Sequence, residues 1–218
     1  MTTSLSSVQL FFLYDSHCPW SFAATPLVNK IHQAYPQITL HLWHSAFFSS
    51  LNETETRLEE QEICDVEQLA NIRFSSLYRT TLKQNRDSTL TANLMTWAQL
   101  KAPNLALDLL NTIQEAHFTQ GNSLENQDDF TKIIAELKLS PPAKVFKSDK
   151  LSKDTQELIQ EVFALQEIIE TQAIPALLLA IDDELILLNH NFYLTQPEAI
   201  VEAVQLELEK HHLNSTTK

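Results

Sequence analysis

The stretch Tyr14-Asp15-Ser16-His17-Cys18-Pro19-Trp20-Ser21-Phe22 joins two hydrophobic patterns, and its reading decides the fold. Before it, Val8-Gln9-Leu10-Phe11-Phe12-Leu13-Tyr14 is a short apolar and aromatic run of the kind that forms a buried strand. After it, Trp20, Ala23, Ala24, Leu27, Val28, Ile31, Ala34 and Tyr35 recur at spacings of three and four, which makes one apolar stripe along a helix. Pro19 suits the first helical position, where its missing N–H has no intrahelical partner to lose. Cys18 therefore falls at or next to the N-cap. Free backbone N–H groups and the positive end of the helix dipole favour an anion there, and for a cysteine that anion is the thiolate. The expectation is a Cys18 thiol more acidic than free cysteine and correspondingly reactive. The other reading of the same position is a small buried hydrophobe at a strand-helix junction.

Ser21 lies three residues on, facing Cys18 across the first helical turn, so its hydroxyl is placed to donate to the sulfur. It cannot attack a mixed disulfide as a second cysteine would. Cys64, the other cysteine, sits among Glu59, Glu60, Glu62, Asp65 and Glu67, whose charges disfavour a thiolate. His41 and His44 are too far apart in phase along a strand to share a metal, because positions three apart point to opposite faces. His117, on an apolar helical stripe, is a pocket residue at most.

The segment YDSHCPWSFAATPLV resembles the active-site segment of the DsbA-type thioredoxin-fold proteins, especially the FrnE-like and hydroxychromene-carboxylate isomerase-like branches. Three further stretches agree with it: HSAFFSS from His44, IQEAHFTQGNSLENQDDFTKIIAEL from Ile113, and QAIPALLLAIDDELILL from Gln172. The resemblance implies catalytic roles for Cys18 and Ser21 and an active-site motif completed by Pro19 and Trp20. It also implies a substrate side made of His17, Ile174 and Pro175, the last two as a cis-proline loop facing the cysteine. Redox members carry cysteine where this chain has Ser21. The implied activity is thus thiol-disulfide exchange or isomerisation through a single cysteine, with an external thiol such as glutathione as co-substrate and no covalently bound cofactor. Two alternatives follow from the same resemblance. One is a glutathione-dependent transferase or isomerase acting on a small apolar molecule, and the other is a non-catalytic binding or chaperone-like protein.

The rest of the chain fits this frame. Gln37 to His44 alternates as a second strand, with Ile38, Leu40 and Leu42 on one face. From Leu51 to about Pro142 the pattern is helical: one helix carries Leu69, Ile72 and Leu77, and another is capped by Ser88. A third opens at Pro103 and is followed by Gly121, the only glycine, at a position that calls for left-handed backbone. Asp154 with Glu157, and Thr195 with Glu198, read as capping boxes of two later helices. Between them, Ala176 to Ile181 is a central strand, and Leu185 to Leu188 is its hairpin partner. The expected architecture is α/β: a thioredoxin-like domain of residues 1–48 and 150–218 with an all-helical insertion, 49–149, after the second strand.

A 44% apolar content over 218 residues supports one sizeable core. A formal charge of −13 without a lysine or arginine cluster excludes nucleic acid as a natural partner. No stretch approaches the ~20 apolar residues of a spanning helix, and the N-terminus lacks the pattern of a secretory signal. The chain is therefore expected in the cytoplasm, acting on a protein or small molecule that carries a thiol or disulfide.

Overall fold

The computed structural model describes residues 8–49, 58–82, 86–147 and 150–215, with side chains of the last helix to His211. The expectations for residues 50–57, 83–85 and 148–149 lie outside them.

Four strands form one sheet in the order β2-β1-β3-β4. β1 (Gln9–Tyr14) is central, parallel to β2 (Thr39–His44) and antiparallel to β3 (Ala176–Ile181), which pairs antiparallel with β4 (Glu184–Leu188). Alternation along the strands divides the core by face. Leu10, Phe12 and Tyr14 meet Leu177, Leu179 and Ile181 on one side, beneath α1 (Pro19–Ala34) and α8 (Ile200–Ser215). Leu13 meets Ala176 and Leu178 on the other, beneath Val162 of α7 (Lys153–Ile168). Because both faces are covered, β1 and β3 read as near-continuous apolar runs. The α1 stripe is buried as its spacing predicts: Leu27, Val28 and Ile31 are fully enclosed, each contributing roughly 1.5–3 kcal/mol.

Between β2 and α7 the described residues form helices: α2 (Glu60–Ala70), α3 (Ser76–Thr80), α4 (Thr89–Lys101), α5 (Pro103–Gln114) and α6 (Thr131–Glu136). A wide π turn, Glu115–Thr119, extends α5. Leu69, Ile72 and Leu77 do not share a helix: Asn71 takes left-handed backbone and ends α2, and Leu69 and Leu77 face solvent. Gly121 adopts φ +72°, and a Cβ built there would lie 2.4 Å from the Leu77 Cβ, so both backbone and space require glycine. α4 is buried almost all round, and Thr91, Asn93 and Gln99 on it are hydrogen-bonded within the protein. Asn93 accepts from the Ser152 amide at 2.8 Å and the Thr155 hydroxyl at 3.0 Å, fastening α4 to the start of α7.

Two caps differ from the sequence pattern. Ser152, not Asp154, caps α7 by accepting the Thr155 amide. A 3-10 turn, Pro197–Ala199, separates Thr195 from α8, so no capping box forms there. In both cases the acidic residue at the right spacing is out of step with the true helix start.

Candidate active site

The strand-helix junction places Cys18 at the N-cap of α1, in extended backbone, with its amide donating to the Asp15 carbonyl at 3.1 Å. Pro19 follows at the first helical position. The side chain is 6% exposed, and that burial reverses the acidity expected from the helix start. Desolvation pushes the Cys18 thiol up to about 11. The Ser21 hydroxyl, then the Ser21 and Trp20 amides, act in the opposite sense, while the Asp15 charge adds to the rise. The helix terminus supplies its donors as predicted, but they do not outweigh the loss of water. At neutral pH the resting Cys18 is a thiol.

Ser21 is fully enclosed and held in place by accepting the Asp15 amide at 3.3 Å. Asp15 is likewise enclosed, and its carboxylate is satisfied by donors from three parts of the chain. These are the His17 amide at 2.8 Å, the Phe48 amide at 3.2 Å and the Ser88 hydroxyl at 2.7 Å. Ser88 stands at the N-cap of α4 as its sequence suggests, but spends its hydroxyl on Asp15 rather than on its own helix.

His17 is turned inward rather than toward solvent. A chain of hydroxyls and imidazoles fixes it. Thr91 gives its hydrogen to the Ser88 carbonyl and so accepts from Ser16 at 2.7 Å. Ser16 Oγ also lies within hydrogen-bond distance of both imidazoles, 3.1 Å from His17 Nδ1 and 2.9 Å from His44 Nε2. The Ser16 amide donates to His44 Nε2 at 3.1 Å, and the Ala46 amide to His44 Nδ1 at 3.0 Å. Burial, followed by the neighbouring His117, His44 and Arg86, lowers the His17 pKa well below the ordinary histidine range, against a weaker pull from the Ser123 backbone.

The helical segment supplies His117, which the sequence marks as a pocket residue, and others that the sequence pattern does not single out. The π turn projects His117, whose ring lies 4.6 Å from that of His17 and whose Nδ1 donates to the Asn122 carbonyl at 2.7 Å. Burial lowers His117 to about 4. Tyr78 of α3 packs edge-on to His117, and burial raises its phenol well above the ordinary range, against the charge and hydrogen bond of Arg86. The Arg86 guanidinium lies 5.8 Å over the Tyr78 ring. Tyr78 and Arg86 carry no spacing signal: they lie in short or irregular elements, and only the fold brings them to the Cys18 junction. His41 is separate, bonded to Gln9 at 2.8 Å and stacked on Phe11, and among the described residues no group of three or more metal-ligating side chains forms.

The Ile174–Pro175 peptide bond is cis. Register puts Ala176 opposite Leu13, so Pro175 and Ile174 lie at the same end of the sheet as the Cys18 junction. Pro175 is buried, and Trp20 of the motif is half-buried. Ile174 borders a broad groove of about 1290 Å³ that runs over α7 and is also lined by Ala46, Phe47, Ile159 and Phe163. Cys18 does not line this groove, although Phe47 and Phe163 present exposed rings along it. Both cysteines are free, Cys18 buried and Cys64 exposed on α2.

Among solved structures, the chain is similar to the cytosolic disulfide reductase DsbM from Pseudomonas aeruginosa with GSH. The TM-score is 0.77 at 20% identity, over 92% of this chain and 99% of that one. It is similar to a putative protein disulfide isomerase from Nitrosomonas europaea, with TM-score 0.68, 15% identity and coverage of 92% and 98%. The third is a 2-hydroxychromene-2-carboxylate isomerase, with TM-score 0.56, 13% identity and coverage of 96% and 99%. No curated protein matches the chain. At these identities the likeness concerns the fold. The family model for the DSBA-like thioredoxin domain matches residues 8–187, spanning β1 to β4 with the Cys18 junction and all the helices between them, and the chain belongs to that family.

Proposed function

We propose that the protein catalyses thiol-disulfide exchange through Cys18 alone, with glutathione as the external thiol, in the cytoplasm. One observation carries this reading: the N-cap cysteine of a DSBA-like domain faces a hydroxyl, Ser21, where a resolving thiol would stand. The disulfide reductase among the similar structures, named with GSH, supports the choice of co-substrate. Cys18 thiolate attacks a glutathionylated thiol, P–S–S–G, forming Cys18–S–S–G and releasing P–S⁻, which takes a proton. Glutathione thiolate then attacks the Cys18–S–S–G bond, releasing GSSG and restoring the Cys18 thiolate. One glutathione is consumed per turnover: the disulfide passes from P–S–S–G to GSSG, whose other half is the glutathionyl group taken from the substrate, and the proton of the incoming glutathione ends on P–SH. Residues 1–48 and 150–218 form the thioredoxin-like unit in this reading, and 49–149 is the helical insertion that roofs the cysteine. Ile174 offers its backbone to an extended substrate lying in the α7 groove.

A second reading draws on the Cys18 acidity. A thiol pushed up to about 11 remains a hydrogen-bond donor at neutral pH. Cys18 and Ser21 would then hold a glutathione thiolate that reacts with a small apolar molecule, as in the isomerase branch of the family. Intact mass after incubation with oxidised glutathione separates the two. Exchange gives a Cys18 adduct released by reduced glutathione and absent in Cys18→Ser. Glutathione binding with no adduct sinks the exchange reading in favour of the second.

A further inference from the structure

The groove over α7 has an apolar floor, two exposed rings and a charged end. Gln156, Gln160, Phe163, Glu167 and Glu170 recur at spacings of three and four, so they form one face of α7 and the turn after it. Ile159, on the same face, joins Ala46 and Leu151 in a buried apolar cluster that makes the floor. Phe163 on α7 and Phe47 on the segment after β2 are 48% and 41% exposed, and rings left open to water beside an apolar floor mark a contact surface. From Gln156 to Glu170 the face extends about 20 Å, the length of about six residues of extended chain. A ligand of that shape is a segment of polypeptide, of which a tripeptide such as glutathione would fill only part.

The charge is one-sided. Among the described residues that line the groove there is no lysine or arginine, whereas Glu167 and Glu170 stand toward the Ile174 end. The carbonyl end of α7, at Ile168, adds the negative pole of the helix dipole there. This field opposes glutathione, which carries one more carboxylate than ammonium, and a second copy of this chain, whose formal charge is −13. It favours a cation. The wall opposite α7 is tied to the Cys18 junction: the Ser45 amide donates to the Tyr14 carbonyl at 2.7 Å and the Phe48 amide to the Asp15 carboxylate at 3.2 Å. The groove thus opens beside the junction, where chain adjoining a disulfide held at Cys18 runs into it. We infer that the groove docks the segment of the protein substrate next to its glutathionylated cysteine, and selects one with a lysine or arginine near the cysteine and an apolar side chain beyond it. The cation sits against Glu167 and Glu170, and the apolar side chain packs on Phe47 and Phe163. This rests on the exchange reading and names its substrate class. The selection also suits the chemistry, because a cation beside the substrate sulfur makes its thiol more acidic, and a more acidic thiol leaves faster when Cys18 takes the glutathionyl group.

The test is fluorescence anisotropy with labelled peptides that carry serine for the cysteine, so that binding does not depend on exchange. One has Lys and Phe on both sides of the serine, and the other has Glu in place of Lys. The basic peptide is expected to bind wild type roughly 3- to 30-fold more tightly, a margin that shrinks in salt, and the double variant Glu167→Lys, Glu170→Lys is expected to reverse the order. Phe163→Ala should weaken the basic peptide roughly 5- to 30-fold. All three side chains are exposed, so their replacement leaves the core intact. Equal binding of the two peptides, an order unchanged in the double variant, Phe163→Ala within about twofold of wild type, or no binding at millimolar concentration overturns the docking site. Displacement of the basic peptide by S-methylglutathione also overturns it and assigns the groove to glutathione. Separately, wild-type protein is incubated with oxidised glutathione. A Cys18 adduct keeps the exchange reading standing even where the docking site fails, and no adduct removes that reading while the peptide result still decides the groove.

Discussion

Ser21→Ala tests the balance of forces on the Cys18 sulfur. With its thiol at about 11, Cys18 is ionised to roughly 0.03% at pH 7.5, against roughly 10% for a free cysteine near 8.5. In a Cys64→Ser background, iodoacetamide should therefore alkylate Cys18 roughly 300-fold more slowly than an ordinary thiol at that pH. The rate should still be rising at pH 10. The Ser21 hydroxyl is the strongest of the groups holding the thiol down, and a hydrogen bond to a charged acceptor is worth about 1.5–3 kcal/mol. Removing it should cut the thiolate fraction, and with it the alkylation rate at pH 9, by roughly 10- to 100-fold. The same change strips the Asp15 amide of its acceptor, costing about 1–3 kcal/mol of stability, so denaturant melts are run alongside. Peptide mapping assigns the label. If Cys18 reacts at pH 7.5 like an exposed thiol, burial does not dominate. If Ser21→Ala reacts like its parent while folded, the hydroxyl does not bear on the sulfur. Either result refutes the proposed balance between desolvation and hydrogen bonding at Cys18. The same arithmetic places a demand on catalysis: ionising Cys18 costs about 3 kcal/mol more than ionising a free thiol, and substrate contacts must supply it.

Three further outcomes are expected. Ser21→Cys introduces the missing resolving thiol and should create dithiol reductase activity toward insulin that Cys18→Ser abolishes; a folded variant with no gain means that the site differs from redox relatives by more than this residue. Gly121→Ala forces a side chain into positive φ and against the Leu77 Cβ, which should destabilise the protein by roughly 2–4 kcal/mol in chemical denaturation with little change in the Cys18 alkylation profile. His117 has a folded pKa of about 4, below the ~6.5 of an unfolded histidine, so its contribution is present above pH 6.5 and is lost as pH falls through 4. That loss is at most about 3 kcal/mol, and the stability of His117→Gln should fall less steeply between pH 6.5 and 4 than that of wild type.

The sheet and the Cys18 junction were legible because their signals are local. Pro19 marks a helix start, the α1 stripe has helical period, and the apolar run at Ala176 has the length of a strand. Gly121 was legible for the same reason, since a helix ending before the only glycine leaves few conformations for it. The acidity of Cys18 was not. A helix terminus is visible in sequence, whereas the desolvation that overrides it comes from side chains on elements far along the chain. The roles of Tyr78, Arg86 and Ser88 were missed on the same account: each depends on partners back at the first strand-helix junction, and no periodicity encodes so long a separation. The expected helix through Leu69 and Leu77 failed on a different ground. Apolar residues at helical spacing bury only if the helix continues, and the left-handed Asn71 stops it.

The Asp15 carboxylate also has a bearing on the order in which the protein assembles. Its acceptors are filled from positions 33 and 73 residues downstream, so the loop that carries Cys18 stays incompletely bonded until the start of α4 arrives. Closing loops of that length is entropically costly and comes late relative to local helix formation. During synthesis, the strand and helix that frame the cysteine emerge first, yet their geometry becomes fixed only after the helical segment is made and docked. A chain cut before Ser88 would leave the Asp15 carboxylate without its Ser88 donor beside a free thiol. The helical segment is thus no removable appendage, and grafting the Cys18 junction onto another scaffold requires carrying Phe48 and Ser88 with it.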